Sequence, residues 1–164
     1  MRRRTLVALT TAAVLGILIG LAGAASGQGP AQLTRTDNGG GITVKAVYLT
    51  ASYLKDSPRD PLIGKVELDR TIVFGITLDA HSGDLSTYDF VKNAVLRNDR
   101  GQQVAGLRWV ATADGSHHRA GGLVFPKADR AGRSLDADAR TLELVVRGLG
   151  GVPERVLRWT LPLP

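Results

Sequence analysis

Cysteine is absent from the 164 residues of the chain. That one absence removes disulfides, thiolate catalysis and thiolate metal sites, and with them a lipid-modified cysteine anchor and blue-copper chemistry. Met1 is the only methionine, so a methionine-rich Cu(I) carrier is excluded too. Aromatic residues make up 5% of the chain, and beyond the N-terminus its arginines and lysines are interleaved with Asp and Glu. Nucleic-acid binding needs a clustered basic face and rings to stack bases, so no nucleic-acid partner is expected. Without covalent or metal staples, core packing must hold together whatever folds here.

What is present begins with Met1-Arg2-Arg3-Arg4, an uncharged stretch over residues 5–25 rich in Leu, Val, Ile, Ala and Gly, and then Ser26-Gly27. A basic n-region, an apolar h-region and a small-residue exit are the parts of a secretory signal. Ala22 and Ala24 permit a cut before Ala25, and Ala24 and Ser26 permit one before Gly27. Residues 1–26 therefore read as a signal peptide. They also suit an uncleaved signal-anchor helix, because about 20 apolar residues span a bilayer. Either way the arginines keep the N-terminus in the cytoplasm and the rest is expected outside it: secreted, at the cell surface or periplasmic. Any membrane contact is expected through this segment alone. The formal charge of +6 comes from 21 basic and 15 acidic residues; without Arg2, Arg3 and Arg4, 18 basic residues face the same 15, leaving +3.

Residues 27–41 are rich in Gly, Pro, Gln, Thr and Asn with no apolar period, and read as a flexible linker. From Ile42 the period becomes two. Ile42, Val44, Ala46 and Tyr48 alternate with Thr43, Lys45, Val47 and Leu49, and Ile72, Phe74, Ile76 and Leu78 alternate with Thr71, Gly75, Thr77 and Asp79. Both patterns predict strands with one face buried. Asp56-Ser57-Pro58-Arg59-Asp60-Pro61 is a loop, since proline fixes φ and removes a donor at each occurrence. Residues 62–68 suggest a short further strand. Residues 94–97 and 104–110 flank Asn98-Asp99-Arg100-Gly101-Gln102 and predict a hairpin. Leu123-Val124-Phe125, then Leu142, Leu144 and Val146, then Leu157, Trp159 and Leu161 supply the remaining strands. A short helix is expected over residues 86–93, with Asp84 or Ser86 as its cap. Trp109 and Trp159 read as core anchors, and Arg155 as the wet end of the last strand. About seven strands with turn chemistry between them argue for an all-β antiparallel sandwich over residues 42–161.

The segments Thr71-Ile72-Val73-Phe74, Tyr88-Asp89-Phe90, Ala94-Val95-Leu96-Arg97, Asn98-Asp99-Arg100-Gly101 and Gly121-Gly122-Leu123-Val124-Phe125-Pro126 follow one another in an order that resembles small exported bacterial immunoglobulin-like domains of uncharacterised families. The resemblance covers residues 42–161. It implies an immunoglobulin-like β-sandwich, without the paired cysteines of antibody domains.

All three histidines fall in two loops: His81 in Asp79-Ala80-His81-Ser82-Gly83-Asp84, and His117 and His118 after Asp114-Gly115-Ser116. Neutral imidazoles with Asp79 or Asp84 would suit Zn or Cu(II) if the loops meet and the backbone turns at Gly115-Ser116. The alternative is that these are exposed polar loop residues, because adjacent side chains in a strand point to opposite faces. Asp79, Asp84 and Asp89 recur at five-residue intervals but lack the dense oxygens and glycine of an EF-hand, so turn formation and capping account for them better. Ser82 beside His81 and Ser116 beside His117 lie in no Gly-x-Ser-x-Gly elbow. No catalytic residue is assigned and no enzyme is expected. The function expected from these residues is an exported, non-catalytic module that binds or packs against a cell-envelope component of unknown identity. The alternative is an extracytoplasmic metal-binding protein using His81, His117 and His118.

Expressed in a bacterium, the chain should leave the cytoplasm, and deletion of residues 1–26 should retain it inside. Mass spectrometry of the exported form separates the two topologies. A start at Ala25 or Gly27 marks a cleaved signal, whereas an intact Met1 in the membrane fraction marks an anchor.

Overall fold

The computed structural model describes residues 31–163. The expected signal or anchor, and residues 27–30 of the expected linker, lie outside them. Among the described residues no helix is long and apolar enough to cross a membrane.

The period-two segments become the central strands. In β2 (Ile42–Leu49) and β3 (Thr71–Ala80) the residues Val44, Ala46, Phe74, Ile76 and Leu78 are all buried, and the two strands pair antiparallel with Tyr48 opposite Phe74. The expected hairpin forms between β4 (Ala94–Asn98) and β5 (Gln103–Ala105). Its turn is built by Asn98, whose Oδ1 accepts from the N–H groups of Arg100 and Gln102, while Gly101 supplies a φ of 76°. With β1 (Thr34–Gly39), β6 (Arg108–Asp114), β7 (His118–Pro126), β8 (Thr141–Arg147) and β9 (Glu154–Thr160), the chain makes two antiparallel sheets. One has the order β1-β2-β3-β7-β6 and the other β5-β4-β8-β9.

Side chains from both sheets meet in one core. Tyr48, Phe74 and Phe125 from the first sheet pack with Leu96, Leu144 and Trp159 from the second. Phe74 and Trp159 lie 4.8 Å apart, and Tyr48 and Phe125 meet Phe74 edge-on at 5.1 and 6.0 Å. Each fully buried apolar side chain contributes about 1.5 to 3 kcal/mol, so this aromatic group is a large share of the stabilisation.

Several expectations are corrected. Residues 34–39, assigned to the linker, are strand β1, joined to β2 by Gly40 and Gly41 with φ of 52° and 72°. Two consecutive positive φ values suit a tight hairpin turn that only glycine occupies cheaply. Residues 62–68 form turns; Leu62 instead seats its side chain over Gly122, where an added Cβ would come within 2.9 Å of it. With Leu49, Val73 and Val124 it forms a second apolar cluster on the outer face of the first sheet. The segment 104–110 is not one strand: the chain crosses at Gly106-Leu107 from β5 in one sheet to β6 in the other. Leu123-Val124-Phe125 is the inner part of the longer β7. A short helix α1 (Ala51–Asp56), capped by Thr50, was not anticipated. Helix α2 spans only Phe90–Asn93 and is capped by Asp89, not by Asp84 or Ser86.

Arg155 is the largest correction. It is 1% exposed and not at a wet end. Its parity with Leu157 and Trp159 turns it inward, where Asp37 of β1 pairs with it and the carbonyls of Gly39 and Leu149 accept from it at 2.6 and 3.1 Å. On the outward face of the same sheet Glu143 accepts from both Arg97 and Arg158. Those hydrogen bonds, Arg97 first, hold its carboxyl below the usual range against the opposing effect of burial.

Phe74→Ala should cost about 3 to 5 kcal/mol of unfolding free energy. Thr77→Ala, on the outward face of the same strand, should change it by no more than about 0.5 kcal/mol. Denaturant titration of the two variants checks the facing, and equal losses would contradict it.

Candidate functional site

The two histidine loops do meet. Antiparallel pairing sets Asp79 of β3 opposite His118 of β7. Beyond that pair, the Ala80 N–H donates to the His117 carbonyl at 2.9 Å and the Leu85 N–H donates to the Ser116 carbonyl at 2.8 Å. The loop after β3 is thereby tied to the turn before β7.

Arg119, next along β7, holds the rest of the crossover. It points inward, is 7% exposed, and donates from Nε to Asp114 at 2.7 Å and from one terminal nitrogen to the carbonyls of Leu85 and Tyr88. Its guanidinium lies 5.7 Å from the Phe90 ring and 5.3 Å from the Trp109 ring, which stack on each other at 4.5 Å. Trp109 reaches this place because Gly121 beneath it has no side chain; a Cβ there would come 2.6 Å from the indole. Trp109 is thus half-buried on an edge strand and packs against the rim of the core, whereas Trp159 lies at its centre.

The five residues expected to hold a metal are brought to this end but not into one group. His118 Nδ1 lies 2.6 Å from Asp79 Oδ1, with both side chains more than half exposed. Asp84 accepts from the Ser86 hydroxyl at 2.6 Å and the Ser86 N–H at 2.8 Å. These two bonds, in that order, lower its carboxyl pKa, and the charge of nearby His117 adds to the effect. His81 is exposed on the loop between them. Among the described residues no three of His, Cys, Asp and Glu are grouped as a cation would require. The physical reason is register: pairing commits His118 to Asp79 on the outer face of the sheet, while Asp84 is committed to its own turn. Among the described residues neither Ser82 with His81 nor Ser116 with His117 shares a hydrogen bond.

Beside these loops lies a cleft of ≈ 590 Å³ between the crossover and the β8–β9 turn, whose 3-10 turn is Leu149–Gly151. Asp84, Asp89, Lys92 and Asn93 supply its polar groups, Tyr88 and Leu149 its apolar ones. Asp89 is oriented by capping α2, accepting from the Lys92 N–H at 3.1 Å, and Asn93 Nδ2 donates back to the Asp89 carbonyl at 2.9 Å. The Tyr88 hydroxyl donates to the Arg147 carbonyl at 2.6 Å, fixing the crossover to the second sheet. With carboxylates, an ammonium and an amide on one wall, the cleft can exchange hydrogen bonds with a polar ligand or a partner's backbone. Asp84 and Asp89 were already singled out in the sequence, but Lys92, Asn93 and Leu149 were not, because nothing local joins the crossover to the β8–β9 turn. The one available signal was Asp89 three residues before Lys92, the offset of an N-cap.

No family model matches the chain, and no curated protein matches it. A solved structure similar to it is a DUF4426 family protein from Pseudomonas aeruginosa, 10% identical, with a TM-score of 0.40 over 82% of this chain and 97% of that one. At that TM-score the likeness carries no argument about what this chain does.

Arg119→Met keeps an apolar stem but removes the donors to Leu85 and Tyr88. Amide hydrogen exchange over residues 81–89 should accelerate about tenfold or more, with β8 and β9 as protected as before. Uniform loss of protection would show that Arg119 supports the whole fold and not the crossover alone.

Proposed function

We propose that residues 42–161 form an immunoglobulin-like β-sandwich and that the protein acts outside the cytoplasm as a non-catalytic binding module, engaging a cell-envelope component with the loop end that carries the polar cleft. Strand order supports the fold reading. The series β2-β3-β7-β6 corresponds to the A-B-E-D sheet of immunoglobulin domains, and β5-β4-β8-β9 to C-F-G with one further strand beside C. On that correspondence β1 is an addition before strand A.

The observation that carries the binding reading is the position of the cleft. It opens between the β3–β4 connection and the β8–β9 turn. These are the counterparts of the B–C and F–G loops, which in variable domains share the binding end. Those loops are held by buried side chains of the framework, so a partner would meet a surface already ordered, which lowers the entropic cost of association. The apolar N-terminal stretch supports the envelope address.

Co-sedimentation of the exported protein with isolated envelopes of the producing cell tests this. Saturable binding is expected, and Lys92→Glu at the cleft should weaken it about fivefold or more. Arg130→Glu, an equal charge change at the opposite end, should leave it unchanged. Equal losses would reduce the effect to net charge, and the absence of saturable binding would refute the reading.

A further inference from the structure

At the far end from the histidines lies a second cleft of ≈ 490 Å³, where β2 ends, β3 begins and the chain leaves β9. Leu49, Leu68, Leu161 and Leu163 give it apolar walls. Tyr48 lines it from the core side. The ring of Tyr48 is locked against Phe74 at 5.1 Å and Trp159 at 6.3 Å, and the residue is only 8% exposed. Its hydroxyl bonds to no described residue, and it is not among the buried polar atoms shut off from solvent, which are Trp109 Nε1 and Arg155 Nε; it opens on the cleft.

Burial, with the Asp136 carboxylate as a second cause, raises the Tyr48 hydroxyl far above the usual phenol range, so it is a neutral donor at physiological pH. The cleft also carries Asp69, Asp136 and Lys127, with the ammonium 3.7 Å from Asp136. Arg70 lies 4.0 Å from Asp69, so each carboxylate already has a cation beside it and the cleft offers no spare cation to hold an anionic ligand.

We propose that this cleft binds a small uncharged amphiphile, an apolar body carrying one hydroxyl, ether or carbonyl oxygen that accepts the Tyr48 O–H. The leucine walls remove the apolar body from water, and the ligand oxygen accepts the Tyr48 O–H. The volume lies within the range of small-ligand sites. The cleft lies at the opposite end from the proposed envelope-binding surface, so the two readings stand or fall separately.

Titration of octan-1-ol into the isotope-labelled exported protein, followed by NMR, tests the proposal. Saturable shifts are expected at the amides of Leu49, Ala51, Thr71 and Leu163. Octanoate at neutral pH, with the same chain and a negative charge, should bind about fivefold more weakly or worse. Tyr48→Phe keeps the ring and removes the donor, and should weaken octan-1-ol about three- to tenfold. Leu68→Trp, which narrows the cleft and leaves residue 48 unchanged, should abolish the shifts. Absence of saturation, unchanged affinity in Tyr48→Phe, octanoate binding as tightly as the alcohol, or binding that survives Leu68→Trp would each overturn the proposal.

Discussion

A guanidinium with no exposed surface holds the first strand to the last. Arg155 on β9 is paired with Asp37 on β1 and donates to the carbonyls of Gly39 and Leu149, so one side chain fixes a strand, a hairpin turn and a 3-10 turn at once. Burying an unpaired charge would cost far more than a hydrogen bond returns, and the site is tolerable because carboxylate and carbonyls converge on it. The geometry around it allows no slack. A Cβ at Gly40 would fall 2.0 Å from the Gly150 carbonyl oxygen, so the two turns touch backbone to backbone. On the same flank the Trp159 indole donates to the Leu33 carbonyl at 2.8 Å and Arg35 Nε donates to the Arg158 carbonyl at 2.6 Å. β1 is thus held by three separate polar contacts to β9 and its neighbours, in addition to its ladder with β2.

The strands with a clean period of two were legible because burial on one face writes itself into alternate positions. Ile42 to Tyr48 and Ile72 to Leu78 needed no further information, and the Asn98-Asp99-Arg100-Gly101 turn identified its hairpin through side-chain chemistry alone. β1 was illegible for the converse reason. Its sequence, Thr34-Arg35-Thr36-Asp37-Asn38-Gly39, has no apolar side chain and buries none of its residues, so its partners, the β2 ladder and, 118 residues away, Arg155, leave no period in it. Arg155 itself could have been placed correctly, since its parity with Leu157 and Trp159 pointed inward. The expectation of a wet end let residue type override periodicity. The segment 104–110 deceived in another way, because an apolar run does not record that its two halves belong to different sheets.

For the sites the limit is different. The histidine loops could meet and do, since β3 and β7 are neighbours, but whether ligands converge depends on register, and a shift of one residue reverses a side chain's face. His118 and Asp79 fall opposite each other on the outer face, and that pairing sends His118 away from the loop carrying His81 and Asp84. The polar cleft and the apolar one draw on four or more chain segments each, so no local pattern could announce them.

The two ends of the molecule are consequently unlike in kind. At the histidine end, Arg119 and Arg155 reach outward from the core to grip loop carbonyls, and the surface above them is polar and already ordered. At the other end the core itself opens: Tyr48 belongs to the aromatic cluster around Phe74 and at the same time lines a leucine-walled cleft. Both terminal nitrogens of Arg155 are held by a carboxylate and carbonyls, with only its buried Nε unpartnered among the described residues, whereas the Tyr48 hydroxyl opens on a cleft. The same framework of facing sheets therefore presents a rigid polar surface at one end and a donor hydroxyl in a leucine-walled cleft at the other. The strands between the two ends are the most deeply buried of the described residues.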